Sequence, residues 1–161
     1  MSLATRRGNR PAVLPIAAAH LQYGVLPWRR TRRGDIKVLL VTSRETARWL
    51  LPKGWPIKGK TPLQAARREA FEEAGVVGHL DPHAIGTYDY VKILRDGSLA
   101  PCTVAVFGLK VHGTLTHWPE RMQRKRRWYR LADAVEAVSD AGLKRLLASL
   151  DRDDSLFESV A

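Results

Sequence analysis

The sequence has one cysteine, no long apolar run and no repeated or low-complexity segment. Cys102 lies in the apolar run PCTVAVFGL, so an internal disulfide and a cysteine-based zinc site are excluded. We interpret Cys102 as a small buried hydrophobe in a reduced, cytoplasmic protein. No stretch of about 18 apolar residues occurs, so we predict no membrane span. No linker rich in proline, glycine or serine divides the 161 residues, which fits a single domain.

Acidic residues are also in short supply. The chain has 27 lysines and arginines against 16 acids, a formal net charge of +11 and an isoelectric point near 10.4. Such a protein is expected to bind polyanions. The candidates are nucleic acid, polyphosphate metabolites and an acidic membrane. The sign of the charge does not choose among them.

The N-terminal region combines basic and apolar residues, as a signal segment does. Pro11 and Pro15 interrupt its apolar stretch, and the segment continues into a strand-like pattern, so we predict no export signal. We expect residues 1–10 to form a flexible basic tail, residues 11–151 to form the domain, and residues 152–161 to form a C-terminal tail.

Apolar patterning predicts a mixed α+β fold. Short apolar or alternating runs predict strands at 13–23, 36–42, 49–51, 85–94 and 102–111. Asp96 and Gly97 suit the turn of a hairpin between the last two, and the segment WRRTRRGD is a charged hairpin loop between the first two. Helical spacing predicts helices at 62–74, 132–138 and 142–150. The order of these elements indicates a mixed sheet flanked by helices.

The first predicted helix carries clear start and stop signals. Thr61 is a candidate N-cap, Pro62 occupies the first helical position, and Gln64 completes a capping box. Gly75 can end the helix in the left-handed conformation. The alanines of this helix share a face that can lie close against a sheet.

Three glutamates occupy another face of the same helix. Glu69, Glu72 and Glu73 are spaced at i, i+3 and i+4, so their charges repel or attract a hard divalent cation. A solvated face is the ordinary interpretation of clustered glutamates. The preceding loop, PKGWPIKGK, favours a cation-binding face instead, because it brings lysines and backbone N–H groups toward the same region. Carboxylates for a metal beside cationic donors are what a pyrophosphate group requires.

This segment resembles the Nudix box, a pattern of Gly, five residues, Glu, seven residues, then Arg-Glu-aliphatic-any-Glu-Glu-any-Gly-aliphatic. Gly54 opens the pattern and the run from Arg68 to Val76 completes it, with Ala70 as a small apolar substitute. The first glutamate of the pattern falls at Lys60, which reverses a charge. The resemblance implies a Nudix α/β/α sandwich, a mixed sheet between helices.

The flanking segments are similar to the diphosphoinositol polyphosphate phosphohydrolase branch of that family. They are the Ser-Arg pair before a tryptophan at 43–49 and the basic segment RKRRWY at 124–129. The resemblance implies Mg²⁺ or Mn²⁺ held by Glu69, Glu72 and Glu73, with Glu72 or Glu73 as base and Arg68 orienting a carboxylate. It also implies phosphate contacts from Ser43, Arg44, Lys53, Gly54, Arg124, Lys125 and Arg126. A further acid such as Glu120 is an alternative base.

The implied activity is metal-dependent hydrolysis of a phosphoanhydride bond in an anionic small molecule. A diphosphoinositol polyphosphate and a dinucleoside polyphosphate both suit the basic flanks. Removal of pyrophosphate from RNA 5′ ends, clean-up of nucleotides, and RNA binding without catalysis remain the alternatives. No partner helix or membrane contact is indicated, and the sequence leaves the oligomeric state open.

Overall fold

The computed structural model describes residues 20–157. Its strands are β1 (His20–Arg30), β2 (Ile36–Thr42), β3 (Trp49–Leu50), β4 (Lys53–Gly54), β5 (Val76–Ile93), β6 (Leu99–Thr114) and β7 (Arg126–Arg130). Its helices are α1 (Pro62–Glu69), which continues as a π-helical turn at Ala70–Ala74, then α2 (Leu131–Ala137) and α3 (Ala141–Arg152), with a short 3-10 turn at Ser155–Phe157. None of these helices is long and apolar enough to cross a membrane.

The strands form one mixed sheet with the order β3-β2-β1-β6-β5. The central pair, β1 and β6, is parallel, and the other pairs are antiparallel. Two short strands attach beside this path: β4 pairs with β1, and β7 pairs with β2. The sheet thereby brings the β4 loop and the segment before β7 to the same end of β1 and β2.

Helices cover both faces of the sheet, so the predicted α+β sandwich is confirmed. On one face α2 and α3 pack on β1, β2 and β6, with Leu143, Leu147 and Leu150 fully buried. On the other face α1 and its π-helical turn pack on the same strands through Ala66, Ala70 and Ala74. Small side chains let a helix approach a sheet closely, which brings the glutamates of α1 near the strand ends.

The predicted elements are recovered with three differences. The β5–β6 hairpin is longer than predicted, although its turn has Gly97 in the left-handed region with φ of +83°. The strands β4 and β7 were not predicted, because β4 has only two residues in a loop rich in glycine and proline, and the basic segment that contains β7 shows no apolar alternation. The first strand was predicted at 13–23, whereas β1 runs on to Arg30 into the segment predicted as a loop, and residues 13–19 lie outside the described range.

The chain beyond residue 151 contributes to the core. Arg152 ends α3, and Phe157 is only 3% exposed, with its ring 5.1 Å from that of Trp28. Residues 152–157, which the sequence suggested as part of a tail, therefore include a buried anchor. The tail predicted at residues 1–10 lies outside the described range, and the domain limits stay predictions.

Candidate active site

The glutamates are presented by a helix whose ends form as predicted. The Thr61 hydroxyl accepts a hydrogen bond from the Gln64 amide, and the Gln64 side chain accepts one from the Thr61 amide, which completes the capping box. Gly75 ends the segment with φ of +61°. The last turn is π-helical and not α-helical, a local widening that is common at functional sites.

Glu73 is the most buried of the three carboxylates. It is 6% exposed, and its two oxygens accept hydrogen bonds from the Lys53 backbone amide at 3.2 Å and from Arg124 Nη2 at 3.1 Å. Burial raises the pKa of Glu73 to about 7, although Arg124 favours the charged form. Glu73 therefore ties the β4 loop to the segment that precedes β7.

Arg124 is the centre of that second segment. Its guanidinium donates to Glu73, to the Thr42 carbonyl at 3.0 Å and to Glu120 Oε1 at 3.2 Å, and its side chain is 8% exposed. We predicted that Arg124 would contact substrate phosphates. Three of its N–H groups are engaged inside the protein, where they hold two carboxylates and the end of β2 together, and the predicted phosphate contact stays a prediction.

Glu69 lies against the backbone of Gly54. A Cβ atom built on Gly54 would overlap the Glu69 carboxylate, so glycine at this position makes room for the acid. Burial, together with the neighbouring charges of Glu72 and Glu120, raises the pKa of Glu69 to about 7. A carboxyl group with such a pKa is poised to exchange a proton or to gain a cation near neutral pH.

Glu72 is partly exposed, with 32% of its side chain accessible. Arg68 Nε donates to Glu72 Oε1 at 2.8 Å, so Arg68 orients a carboxylate as predicted from the pattern. The Glu72 carbonyl also accepts a hydrogen bond from the Glu120 amide at 3.0 Å. This contact places Glu120 beside the helical glutamates, so Glu120 is the fourth acidic residue of the cluster.

Lys53 and Gly54, in β4, form the cationic side of the site. Desolvation lowers the pKa of Lys53, and the charges of Lys92 and Arg124 act in the same direction against the attraction of Glu73. The Lys53 ammonium lies 5.1 Å from the centre of the Tyr90 ring. The following residue, Trp55, is 41% exposed and forms an aromatic edge beside the same loop.

The remaining predicted phosphate contacts lie at three different places. The Ser43 hydroxyl accepts from the amides of Thr46 and Arg48, so it organises the loop after β2. The exposed Arg44 lies 3.7 Å from Glu120, at the rim of the cluster. Lys125 is exposed, and its backbone is fixed to Thr42.

Arg126 contacts the C-terminal end of the glutamate helix. Its guanidinium donates to the carbonyls of Ala74, Gly75 and Leu115 and lies 3.8 Å from the centre of the Trp118 ring. These contacts satisfy the carbonyl end of the glutamate helix, where a cation is favourable. Arg126 thus holds the helix end, and its predicted substrate contact stays a prediction.

The carboxylates are oxygen ligands of the kind that bind a hard divalent cation. As the side chains stand, residues 20–157 contain no group of three or more His, Cys, Asp or Glu that could hold a metal ion. Glu72 is turned to Arg68 and Glu73 to Arg124, whereas Glu69 has no side-chain hydrogen bond to another described residue. Oxygen ligands are those that Mg²⁺ and Mn²⁺ prefer, and a cation would relieve the repulsion that raises the pKa of Glu69.

Sequence reasoning missed the internal roles of Arg124 and Arg126. Each contacts a glutamate or a carbonyl of the helix from about 50 residues away along the chain. The basic run 124–127 was visible, but nothing local separates an arginine that faces inward from one that faces a ligand. Lys60, where the box pattern has a glutamate, is exposed at the end of the loop before α1.

A comparison with protein families gives one match over most of the chain. The model of the NUDIX domain matches residues 19–150. Among solved structures, an Ap4A hydrolase of C. elegans superposes with a TM-score of 0.63 over 88% of this chain and 98% of that one. At 24% identity, that likeness concerns the fold.

Curated relatives align over the same region. Nudix hydrolase 12, mitochondrial, of Arabidopsis thaliana is 36% identical over 115 residues, which are 70% of this chain and 57% of that protein. Nudix hydrolase 21, chloroplastic, from the same plant is 31% identical over 91% of this chain and 74% of its own length. Diphosphoinositol polyphosphate phosphohydrolase 3-alpha of Mus musculus is 32% identical over 68% of this chain and 63% of its own. The chain thus spans little more than half the length of some relatives.

Proposed function

The chain belongs to the NUDIX family, and from that premise we propose that it is a pyrophosphohydrolase that uses Mg²⁺ or Mn²⁺ to cleave a phosphoanhydride bond. One observation carries the proposal. The box glutamates and the loop that opens the box are joined directly, because Glu73 accepts the Lys53 amide and Glu69 fills the space beside Gly54. Acids for a cation and a lysine for phosphate therefore lie within one small region.

Glu69, Glu72 and Glu73 would hold the metal ion, with Glu120 as a neighbouring acid. The bound ion would neutralise phosphate charge and lower the pKa of an attacking water. Glu72 would have to turn from Arg68 to reach it, and Glu73 would keep its hydrogen bond with Arg124. Among these residues Glu72 and Glu73 are the candidates for the base, and Glu120 is the alternative.

Phosphate binding falls to three cations around the carboxylates. The partly buried Lys53 donates its backbone amide to Glu73, Arg44 lies at the rim, and Lys125 is exposed next to the buried Arg124. Ser43 shapes the loop that carries Arg44. Arg124 and Arg126 act as positioning residues, since their guanidinium groups are occupied by the protein's own oxygens.

We favour a densely charged substrate, either a diphosphoinositol polyphosphate or a dinucleoside polyphosphate. Support comes from the formal charge of +11 and from the mouse relative, whose name includes the first of these substrates. A cytoplasmic location belongs to the proposal and rests on the single buried cysteine.

The test is a panel of diphosphoinositol polyphosphate, dinucleoside polyphosphates, triphosphorylated RNA and nucleoside triphosphates, each incubated with Mg²⁺, with Mn²⁺ and with excess chelator. We expect cleavage of one of the first two classes, abolished by the chelator. Cleavage of RNA alone would overturn the substrate assignment, whereas the proposed hydrolysis of a phosphoanhydride bond would still stand. Absence of cleavage with every compound and both metals would overturn the hydrolase proposal.

A further inference from the structure

A row of three basic side chains crosses the sheet at the end opposite the carboxylates. Arg29 of β1 is aligned with Lys37 of β2, and Lys37 is aligned with Arg130 of β7. Aligned residues on neighbouring strands present their side chains on the same face, about 5 Å apart. The three cations therefore form a line about 10 Å long, which we call the basic row.

The basic row is separated from the proposed active site by the length of the strands. The site lies near Gly24 of β1, which pairs with Lys53, and near Thr42 of β2, which contacts Arg124. Each of these lies five residues from the basic row along its own strand. At about 3.3 Å per residue this corresponds to about 16 Å, so a ligand of the row need not touch the carboxylates.

The row lacks the acids that usually neutralise such an arrangement. Like charges directly opposite each other destabilise a sheet. Within residues 20–157, no salt bridge involves Arg29, Lys37 or Arg130. The adjoining hairpin turn adds Arg32 and Arg33 against one acid, Asp35. An uncompensated line of charge is retained at a cost to stability, which points to an anionic ligand.

One member of the row is held in place before any ligand binds. The Arg29 guanidinium lies 4.1 Å from the centre of the Trp128 ring, across the intervening strand β2. Stacking on an aromatic face restricts an arginine while leaving its N–H groups at the ring edge free to meet oxygen atoms. Less side-chain entropy is then lost on binding.

We propose that the basic row, continued by the hairpin arginines, binds the phosphate backbone of single-stranded RNA. The cations lie along a line on an open sheet face, which suits an extended polyanion better than a compact one. A membrane surface is less well matched, because none of the large exposed apolar side chains among the described residues lies in 28–42 or 126–130, the segments that carry the row. The contacts are to phosphates, so we expect little dependence on base sequence.

The test compares two triple variants of the same net charge. The first, R29Q/K37Q/R130Q, removes the row, and the control, R95Q/R145Q/R152Q, removes three exposed arginines elsewhere. The probe is a labelled single-stranded RNA of about 20 nucleotides with a 5′-hydroxyl end, which has no phosphoanhydride bond. Affinity is measured by fluorescence anisotropy at several salt concentrations, and cleavage of the best small substrate is measured in parallel.

We expect the row variant to bind RNA at least tenfold more weakly than the parent, and the control to stay within about threefold. The slope of log affinity against log salt should become shallower by about 2, as for loss of three contacts to a single strand. Small-substrate cleavage should be the same in all three proteins, and the row variant should melt no lower than the parent.

Three results would overturn the proposal. These are no RNA binding by the parent at about 150 mM salt, equal losses in both variants, and row-dependent binding that is tighter for anionic vesicles or inorganic polyphosphate than for RNA. Absence of small-substrate cleavage by the parent protein would count against the proposed hydrolase function and not against RNA binding, because the RNA probe is not a substrate.

Discussion

The Arg124 guanidinium lies 3.1 Å from the Glu73 carboxylate, and both side chains are 8% exposed. Arg124 also holds the Thr42 carbonyl and Glu120, so one buried cation joins β2, the box helix and the segment before β7. A buried charge that loses its partner is costly, whereas loss of both partners costs less. This pair therefore gives the site its sharpest stability test.

We predict that Arg124→Ala lowers the free energy of unfolding by about 3–5 kcal/mol, because Glu73 is left buried without a counter-charge. The measurement is urea denaturation followed by tryptophan fluorescence. The double variant R124A/E73Q should recover part of the loss. If Arg124→Ala costs no more than an exposed substitution such as Arg145→Ala, the ion pair does not hold the site together.

Glu69→Gln and Glu73→Gln should each lower turnover at least about 100-fold at saturating Mg²⁺, in the range expected for loss of a metal ligand or an acid-base group. Glu136→Gln, which changes an exposed glutamate on α2, serves as the control and should leave turnover unchanged. The assay follows phosphate or nucleotide products by chromatography. Near-normal turnover by both site variants would refute the mechanism.

Gly54→Ala should lower kcat by at least about tenfold, because the new methyl group would occupy the space of the Glu69 carboxylate. Gly113→Ala is the matched control, since a Cβ there makes an ordinary contact of 3.4 Å with Val77. Thermal melting of both variants separates a displaced carboxylate from a damaged fold. Equal activity of the two variants would show that Gly54 does not shape the site.

In the absence of metal, stability should fall as the pH rises from about 4.5 to about 7. Burial raises the pKa of Glu69 and of Glu73 from 4.5 to about 7 in the folded protein, so the folded state binds more protons than the unfolded state in this range. The stabilising contribution of the protonated carboxyl groups is complete below their pKa in the unfolded state. It is lost as the pH rises through their pKa in the folded state. Melting temperatures in chelator should show this decline.

The same experiment with variants identifies the group responsible. Glu69→Gln should have a flatter pH dependence than the parent, whereas Glu136→Gln should keep the parental slope. Added Mg²⁺ should restore stability most strongly at high pH, because a cation binds the charged carboxylate. A rise in melting temperature with pH in the metal-free parent would contradict the assignment.

Trp55 should distinguish the two favoured substrates. Its ring is 41% exposed beside Gly54, where the base of a nucleotide can stack, and stacking of one base contributes about 1–3 kcal/mol. Trp55→Ala should raise KM about tenfold for a dinucleoside polyphosphate and leave KM for a diphosphoinositol polyphosphate unchanged. Trp55→Phe should restore most of the nucleotide binding. Equal changes for both substrates would argue against stacking.

The sequence predicted those parts of the site that depend on neighbours along the chain. The capping box of Thr61 and Gln64 and the left-handed Gly75 are local signals, and both are confirmed. The buried alanine face of α1 follows from helical spacing and is also present. The fold class follows from the order of the elements.

The remainder depends on contacts between distant segments. The residues RKRRWY gave no local sign that they contain a strand, since β7 is fixed by its pairing with β2. The inward direction of Arg124 is set by Glu73 and Thr42, which lie far from it in sequence. The π-helical turn at Ala70–Ala74 was predicted as a continuation of the α-helix, since no local signal in the sequence marks the change.

The parallel pairing of β1 with β6 has a consequence for the order of folding. His20 is aligned with Cys102, so the two central strands meet only after a long loop of chain has closed. Pairings of such high contact order form slowly, whereas a capped helix forms in microseconds. The glutamate helix can therefore form in the nascent chain well before Arg124 has been synthesised and the central strands have paired, and a polypeptide interrupted before β6 would carry the signature motif without a catalytic centre.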